Sequence, residues 1–334
     1  MNYKNANLEL YKIGLGCGGM TNLNNKEENI KTIHKALDNG VNMLNTGDFY
    51  GSGQSEMIIG EALKGRKRDD IFISVKTGAL VSPNGQMYGL DVNPFNIKIH
   101  LAQTLKRLKL DYIDLYQPAR IDLAIPVEET IGAISDLVKE GYVKHIGITQ
   151  VDAETLKKAH KTHPLTFIES EYSLFNRNIE KDIIPTAREL GIGVIAFGAL
   201  AHGLLSGNFS KDSANKYNSR IPLFYEENIN KNLELVERLK IIAAEKNITI
   251  PQLSLAWLLS KGNDILPLIG SSRRSTLSNS LKSMDIVLNS QDIERIENAI
   301  PQNEIAGSSF PSPKFKNGKV VWWYNYFHLI MHFS

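Results

Sequence analysis

The feature that most narrows what this chain can fold into is a repeated alternation. A short β-rich apolar stretch is followed by a stretch with apolar residues at helical spacing, and then by another strand. Eight stretches read as strands: Lys12 to Gly16, Val41 to Thr46, Ile71 to Lys76, Tyr112 to Gln117, His145 to Thr149, Phe167 to Glu171, Gly193 to Phe197 and Ile265 to Ile269. Helices are predicted near Glu28 to Asp38, Glu56 to Lys64, Phe95 to Leu108, Val127 to Lys139, Ala153 to His160, Ile179 to Leu190 and Leu233 to Lys246, with two more at Pro251 to Ser260 and Gln291 to Ala299. Asn39-Gly40, Glu140-Gly141 and Leu190-Gly191 each put glycine just past a helix, where the chain turns left-handed. Such alternation joins parallel strands through helices, and eight repeats suit a closed (β/α)8 TIM barrel better than two half-size open sheets. One α/β barrel domain is therefore expected over residues 1–310. The interval near 199–230 is too long and polar for a simple connection and reads as an active-site loop or lid.

Charge and composition limit the partners. With 38 basic and 36 acidic residues the net charge is +2, which lacks the electrostatic footprint of a nucleic-acid binder. A single cysteine, Cys17, cannot form an internal disulfide, and the start of the chain lacks a secretory apolar run, so a cytoplasmic location is expected. No segment is long and apolar enough to span a bilayer; Val320 to Phe333 comes nearest and is broken by Asn325, His328 and His332. Residues 311–334 form an aromatic tail that suits either a pocket wall or a docking segment. His160 with His163, and His328 with His332, lack companion carboxylates or cysteines, so no metal site is expected.

In a barrel the chemistry sits where strands end and loops begin. The second strand runs out through Leu44-Asn45-Thr46-Gly47-Asp48-Phe49-Tyr50-Gly51 and the third through Ser74-Val75-Lys76-Thr77-Gly78, onto the same rim. A phenol with a pKa of about 10 is a poor acid at neutral pH, and a nearby ammonium lowers that value. Tyr50 and Lys76 thus make a general acid suited to an oxygen that is becoming an alkoxide. Gly14-x-Gly16-x-x-Gly19 matches a dinucleotide fingerprint in form only: no helix opens at the third glycine and no acidic residue ends the next strand.

Further signatures fall in order along the chain: Gly14 to Met20, Asn45 to Gly51, Lys76, Asp111 to Gln117, Ile146 to Thr149, Glu171 to Leu174, Ala196 to Leu200, Gly203 to Gly207 and Gly270 to Arg273. Over roughly Leu8 to Ile300 the sequence resembles the aldo-keto reductase superfamily. The resemblance implies a (β/α)8 barrel that moves a hydride between a nicotinamide, usually NADP(H), and a small-molecule carbonyl or alcohol. Of the family's Asp-Tyr-Lys-His tetrad, Tyr50 and Lys76 match. Asn45 stands at the aspartate position and Ala119 at the histidine position. Asn45 accepts a hydrogen bond but carries no charge, so Lys76 is expected to be less neutralised and to push Tyr50 further towards phenolate. Ala119 removes a second donor, an effect worth around 3 kcal/mol, and widens the pocket. Arg120 is expected to point outward to an acidic neighbour, the alternative being that it supplies the missing donor.

The resemblance also implies the cofactor positions. Thr149, Gln150 and Glu169 fall where the nicotinamide carboxamide is held, and Phe197 where the ring stacks. Gly18, Gly198, Leu200 and Gly203 line the same cofactor. Ser271, Ser272 and Arg273 form a phosphate site at a helix start and favour NADPH, with NAD left open because Thr276 replaces a second arginine. Asn279 falls at an adenine position. Cys17 reads as a small residue beside the cofactor. The competing reading is a nucleotide-binding regulatory or redox-sensing subunit with weak or vestigial reductase activity; a cofactor-free hydrolase lacks paired carboxylates or metal ligands at the rim. Substrate identity and oligomeric state are not specified by the sequence.

Overall fold

Parallel strands buried on both faces read as near-continuous apolar runs, and the strands here do so only in part, being interrupted at Asn45, Ser74, Lys76, Asp114, Gln117 and Glu169. In the computed structural model, described for residues 2–3, 8–83, 85, 87–215, 221–309, 315–316 and 319–320, eight parallel strands close a barrel. They are β1 (Gly14–Gly16), β2 (Met43–Gly47), β3 (Phe72–Thr77), β4 (Ile113–Pro118), β5 (Val143–Thr149), β6 (Phe167–Glu171), β7 (Gly193–Phe197) and β8 (Ile265–Gly270). Closure comes from β8 pairing with β1, Leu268 opposite Gly14. Every strand begins and ends within two residues of its sequence expectation.

Helices α1 (Lys26–Asp38), α2 (Gln54–Ala62), α3 (Pro94–Leu108), α4 (Val127–Lys139), α5 (Ala153–Thr162) and α6 (Ile183–Leu190) connect successive strands. The expected left-handed exits are present at Gly40, Gly141 and Gly191, with φ of 86°, 84° and 70°. The stretch from Ile179 breaks into a 3-10 turn, Asn178–Glu180, before α6 begins. The long loop after β7 carries a short helix, α7 (Lys211–Asn215), and α8 (Glu226–Glu245) starts earlier than predicted, with Glu226 and Glu227 in its first turn favoured by the helix dipole. Then come α9 (Ile250–Ser260), opened by a Thr249–Gln252 capping box, α10 (Arg274–Leu281) and α11 (Ser290–Ala299). An antiparallel hairpin, Ala79–Val81 with Met87–Leu90, rises from the end of β3. Of the aromatic tail, only Phe315–Lys316 and Lys319–Val320 are described, as a paired two-stranded piece; the rest lies outside the described residues. Among the described residues no helix is long and apolar enough to cross a membrane.

Residues two apart on a strand share a face. Inside the barrel Met43, Phe72, Leu115, Phe167, Ile195, Leu266 and Leu268 form a buried apolar cluster distinct from the larger core between strands and helices. Two residues further along four of those strands stand Asn45, Ser74, Gln117 and Glu169, all buried. Lys76 is the next inward position on β3. The apolar floor thus gives way to a polar layer just below the rim where the strands end.

Candidate active site

Tyr50 leaves β2 on a tight turn in which its amide donates to the Gly47 carbonyl at 3.0 Å. Its ring lies against the loop after β1: a side chain at Gly18 would place its Cβ 3.2 Å from Tyr50 Cζ, closer than ordinary packing permits. Phe49 meets it edge-on, with ring centres 4.6 Å apart. Lys76 Nζ sits 5.4 Å from the centre of the Tyr50 ring. The two residues the sequence singled out are brought together at the rim.

Lys76 is buried, and its ammonium is held on two sides. It donates to Asn45 Oδ1 and pairs with Glu169 Oε1 at 3.0 Å. The other carboxylate oxygen of Glu169 accepts from Asn45 Nδ2 at 2.8 Å and from Gln117 Nε2 at 2.6 Å. Ser74 Oγ accepts from Asn45 Nδ2 at 3.1 Å and from Gln117 Nε2 at 3.4 Å. Burial acts most strongly on Lys76 and pulls its pKa down, but Glu169 and then Tyr50, through charge and hydrogen bonding, carry it above the ordinary lysine value.

One expectation changes here. Lys76 is not left without a counter-charge, because β6 delivers a carboxylate across the barrel to the side where Asn45 has none. Glu169 in turn faces Lys76, Asn45 and Gln117 with both its oxygens, which is the contact set the charge demands. Asp48 is turned away to the end of β3, accepting from Thr77 Oγ1 at 2.6 Å and Gly78 N at 3.2 Å and pairing with His100 at 3.3 Å.

Arg120 also departs from expectation. It is mostly buried and folds back over the rim, its Nη1 donating to the Ala119 carbonyl at 2.6 Å and to Thr149 Oγ1 at 3.5 Å. Burial lowers its pKa against the opposing pull of Glu169, Tyr50 and Glu171. Thr149 Oγ1 donates to the Ala119 carbonyl at 2.5 Å, which leaves one lone pair beyond the bond it accepts from Arg120. Gln150, at φ 48°, spends its side-chain carbonyl on the Glu171 amide at 3.0 Å.

Phe197 ends β7 with its ring half-buried above the apolar floor. Gly198 follows at φ 67°, where a Cβ would stand 3.0 Å from Glu171 Cγ. Past Leu200, Ala201 and His202 are left-handed at φ 47° and 55°, and Gly203 at 100°. His202 Nε2 lies 3.2 Å from Glu171 Oε1, a rim pair the sequence reading missed. After β8, Ser271 Oγ donates to the Arg273 carbonyl at 2.8 Å, and Ser272 and Arg273 are exposed. Arg274 is paired with Glu28 of α1 at 3.0 Å, whereas Arg273 has no carboxylate partner among the described residues. Asn279 is taken into the α9–α10 packing, donating to Thr249 Oγ1 at 3.2 Å and accepting from Gln252 Nε2 at 3.0 Å. The side chain expected to face adenine is thus engaged in a helix-to-helix contact.

Cys17 is buried, and burial pushes its thiol up to about 12 against a smaller opposing effect of Lys76, so it is no nucleophile. His160 accepts the Leu165 amide and His163 meets the Pro164 carbonyl, both local contacts. His328 and His332 lie outside the described residues. A hollow at the opposite end of the barrel, lined among others by Lys12, Asp114, Lys144 and His145, holds charges that answer one another. Asp114 is paired there with Arg68 at 2.5 Å and Lys144 at 3.6 Å.

A buried ammonium thus lies beside a phenol at the mouth of a parallel (β/α)8 barrel, and comparison with known proteins gives the class of this barrel. The Aldo/keto reductase family model matches residues 12–301. A probable aldo-keto reductase from Glycine max is 34% identical over 311 residues, covering 90% of this chain and 89% of its own. A solved glycerol dehydrogenase from Gluconobacter oxydans superposes with a TM-score of 0.79 at 26% identity, covering 92% of this chain and 95% of its own. A thermostable aldo-keto reductase solved with the inhibitor epalrestat gives 0.72 at 25% identity, covering 87% and 96%. This chain belongs to the aldo-keto reductase family, and it is an oxidoreductase. The family as a whole works with NAD(P)H on small-molecule carbonyls.

Proposed function

We propose that the chain is an NADP(H)-dependent oxidoreductase that interconverts an aldehyde or ketone and the corresponding alcohol, with Tyr50 as general acid and base and Lys76 as the charge beside it. The observation that carries this reading is the Lys76 ammonium 5.4 Å from the Tyr50 ring centre, at the rim. A bound nicotinamide supplies the hydride, and the residues of this chain manage the proton. Tyr50 donates its hydroxyl proton to the substrate oxygen as that oxygen gains charge, and the neighbouring ammonium favours the phenolate left behind. In the alcohol-oxidising direction the same oxygen takes the proton back. Lys76 keeps its charge because Glu169 lies against it. Ala119 offers no donor, so Tyr50 carries the proton work with Thr149 and Arg120 on the adjoining rim.

The residues around the mouth fit a nicotinamide dinucleotide. Phe197 offers a ring face, and Thr149 Oγ1, which accepts one bond from Arg120, has a second lone pair that can accept from a carboxamide. Non-glycine residues held left-handed, as Ala201 and His202 are, cost about 1–3 kcal/mol each and cluster where a loop grips a ligand. Arg273, exposed at the start of α10 and without a carboxylate partner among the described residues, suits a phosphate that NADPH has and NADH lacks. The regulatory alternative loses one support, since Lys76 has a carboxylate partner after all.

Fluorescence titration with NADPH and NADH tests this, followed by turnover against a panel of aldehydes and ketones. Arg273→Ala should weaken NADPH about 10- to 100-fold, the loss of one charge-assisted contact, and change NADH by less than about threefold. Failure to bind either nucleotide would contradict the reading, and tight binding without turnover of any carbonyl would favour a sensor.

A further inference from the structure

We infer that Glu169 is the positioning residue for Lys76: it reaches from β6 to hold the ammonium beside Tyr50, doing from across the barrel what a carboxylate at position 45 would do from β2. The inference rests on the reading of Tyr50 as proton donor. It starts from an imbalance: Lys76 is buried, and an unpaired buried ammonium either loses its proton or destabilises the fold. Its neighbours can be counted. From β2 and its loop come the amide of Asn45, the hydroxyl of Tyr50 and Asp48, whose carboxylate is taken by Thr77, Gly78 and His100. From β1 comes the protonated Cys17, and from the end of β4 the cationic Arg120. Glu169, from β6, is the one carboxylate among these in contact with Lys76 Nζ, at 3.0 Å.

The surrounding hydrogen bonds hold that carboxylate in place. Asn45 and Gln117 both donate to Oε2, which leaves Oε1 for Lys76. Asn45 therefore touches both partners of the ion pair, accepting from Lys76 and donating to Glu169. The arrangement can be inverted almost atom for atom. A carboxylate introduced at 45 would accept from Lys76 and from an amide introduced at 169, and Gln117, whose Oε1 has no partner, can turn to accept from that amide.

The test uses the full chain labelled with 13Cζ-tyrosine, without cofactor, titrated by NMR from neutral to alkaline pH; the Tyr50 signal is assigned by its loss in Tyr50→Phe. Removing the charge in Glu169→Gln should let the first proton of the Tyr50–Lys76 pair leave at lower pH, displacing the Tyr50 midpoint by about 1–2 pH units, downward if that proton is the phenol's and upward if it is the ammonium's. The inverted pair, Asn45→Asp with Glu169→Gln, should return it to within about half a unit of wild type. The alkaline limb of kcat/KM for carbonyl reduction should follow both shifts. A Glu169 that only braces the fold would lower stability and leave the midpoint where it was, which would overturn the inference, as would a double variant that keeps the displaced midpoint. If Glu169→Gln does not fold, the double variant carries the test alone: a folded protein with the wild-type midpoint supports the inference, and a displaced midpoint or failure to fold overturns it. Full turnover by Tyr50→Phe would remove the proton-donor reading while leaving the titration result intact.

Discussion

Met43, Phe72, Leu115 and Phe167 line the floor of the barrel; Asn45, Ser74, Gln117 and Glu169 stand two residues further along the same strands. Exposure does not separate the layers, being 0–6% in the floor and 0–2% above it. Their energetics do. The floor gains from every area removed from water, at roughly 25 cal/mol per Å², with no partner required. The polar layer must satisfy each donor and acceptor, and a buried ion pair there is seldom a net gain over well-packed apolar side chains. Equal burial therefore means different things two residues apart: the floor holds the barrel together, and the layer above it places a charge at the rim.

The contrast can be broken most forcefully at Lys76. Lys76→Met should lower kcat by about 10²- to 10⁴-fold, the range of a general acid's contribution, in steady-state assays of carbonyl reduction. It should also lower the urea midpoint, because Glu169 is left buried and unpaired; adding Glu169→Leu should restore the midpoint and leave the activity lost. In the floor the pattern should reverse. Phe167→Ala is expected to cost about 3–5 kcal/mol in urea unfolding, while kcat per folded molecule changes by less than about twofold.

A smaller effect sharpens the boundary between the layers. His100, on α3, sits between Asp48 and Asp91, and hydrogen bonding to Asp48 raises its pKa above the ordinary 6.5, outweighing burial. A pKa raised on folding gives stability that is fully present below 6.5 and is lost as pH climbs through the folded value. The stability gap between wild type and His100→Phe should therefore be wider at pH 5.5 than at 8.5 in paired urea melts. A gap that does not change with pH would mean that the His100 contacts are not charge contacts.

What the sequence made legible follows from what is local. Strands were readable to within two residues because each is a short β-rich run set between helical stretches, and glycine marked the helix exits. The hairpin Ala79–Val81 with Met87–Leu90 was not, since its short strands sit inside a connection and carry no clear alternation. Helix α8 began seven residues before its apolar spacing did, on an acidic first turn. In the site, Tyr50 and Lys76 stood out because each closes a strand-end motif. Their partner Glu169 could not be paired with them in advance: it is 124 residues from Asn45, and only closure of the barrel brings the two to 2.8 Å. Stepping two residues back from Lys76 to Ser74 would have pointed to an inward polar layer; nothing local says that Arg120 folds inward.

The most direct measurement is turnover of Tyr50→Phe with NADPH and whichever carbonyl the wild type reduces, alongside nucleotide affinity by fluorescence. Nucleotide binding should be unchanged, within about threefold, and kcat lower by about 10²- to 10⁴-fold. Wild-type kcat in a protein lacking that hydroxyl would contradict the reading of Tyr50 as proton donor.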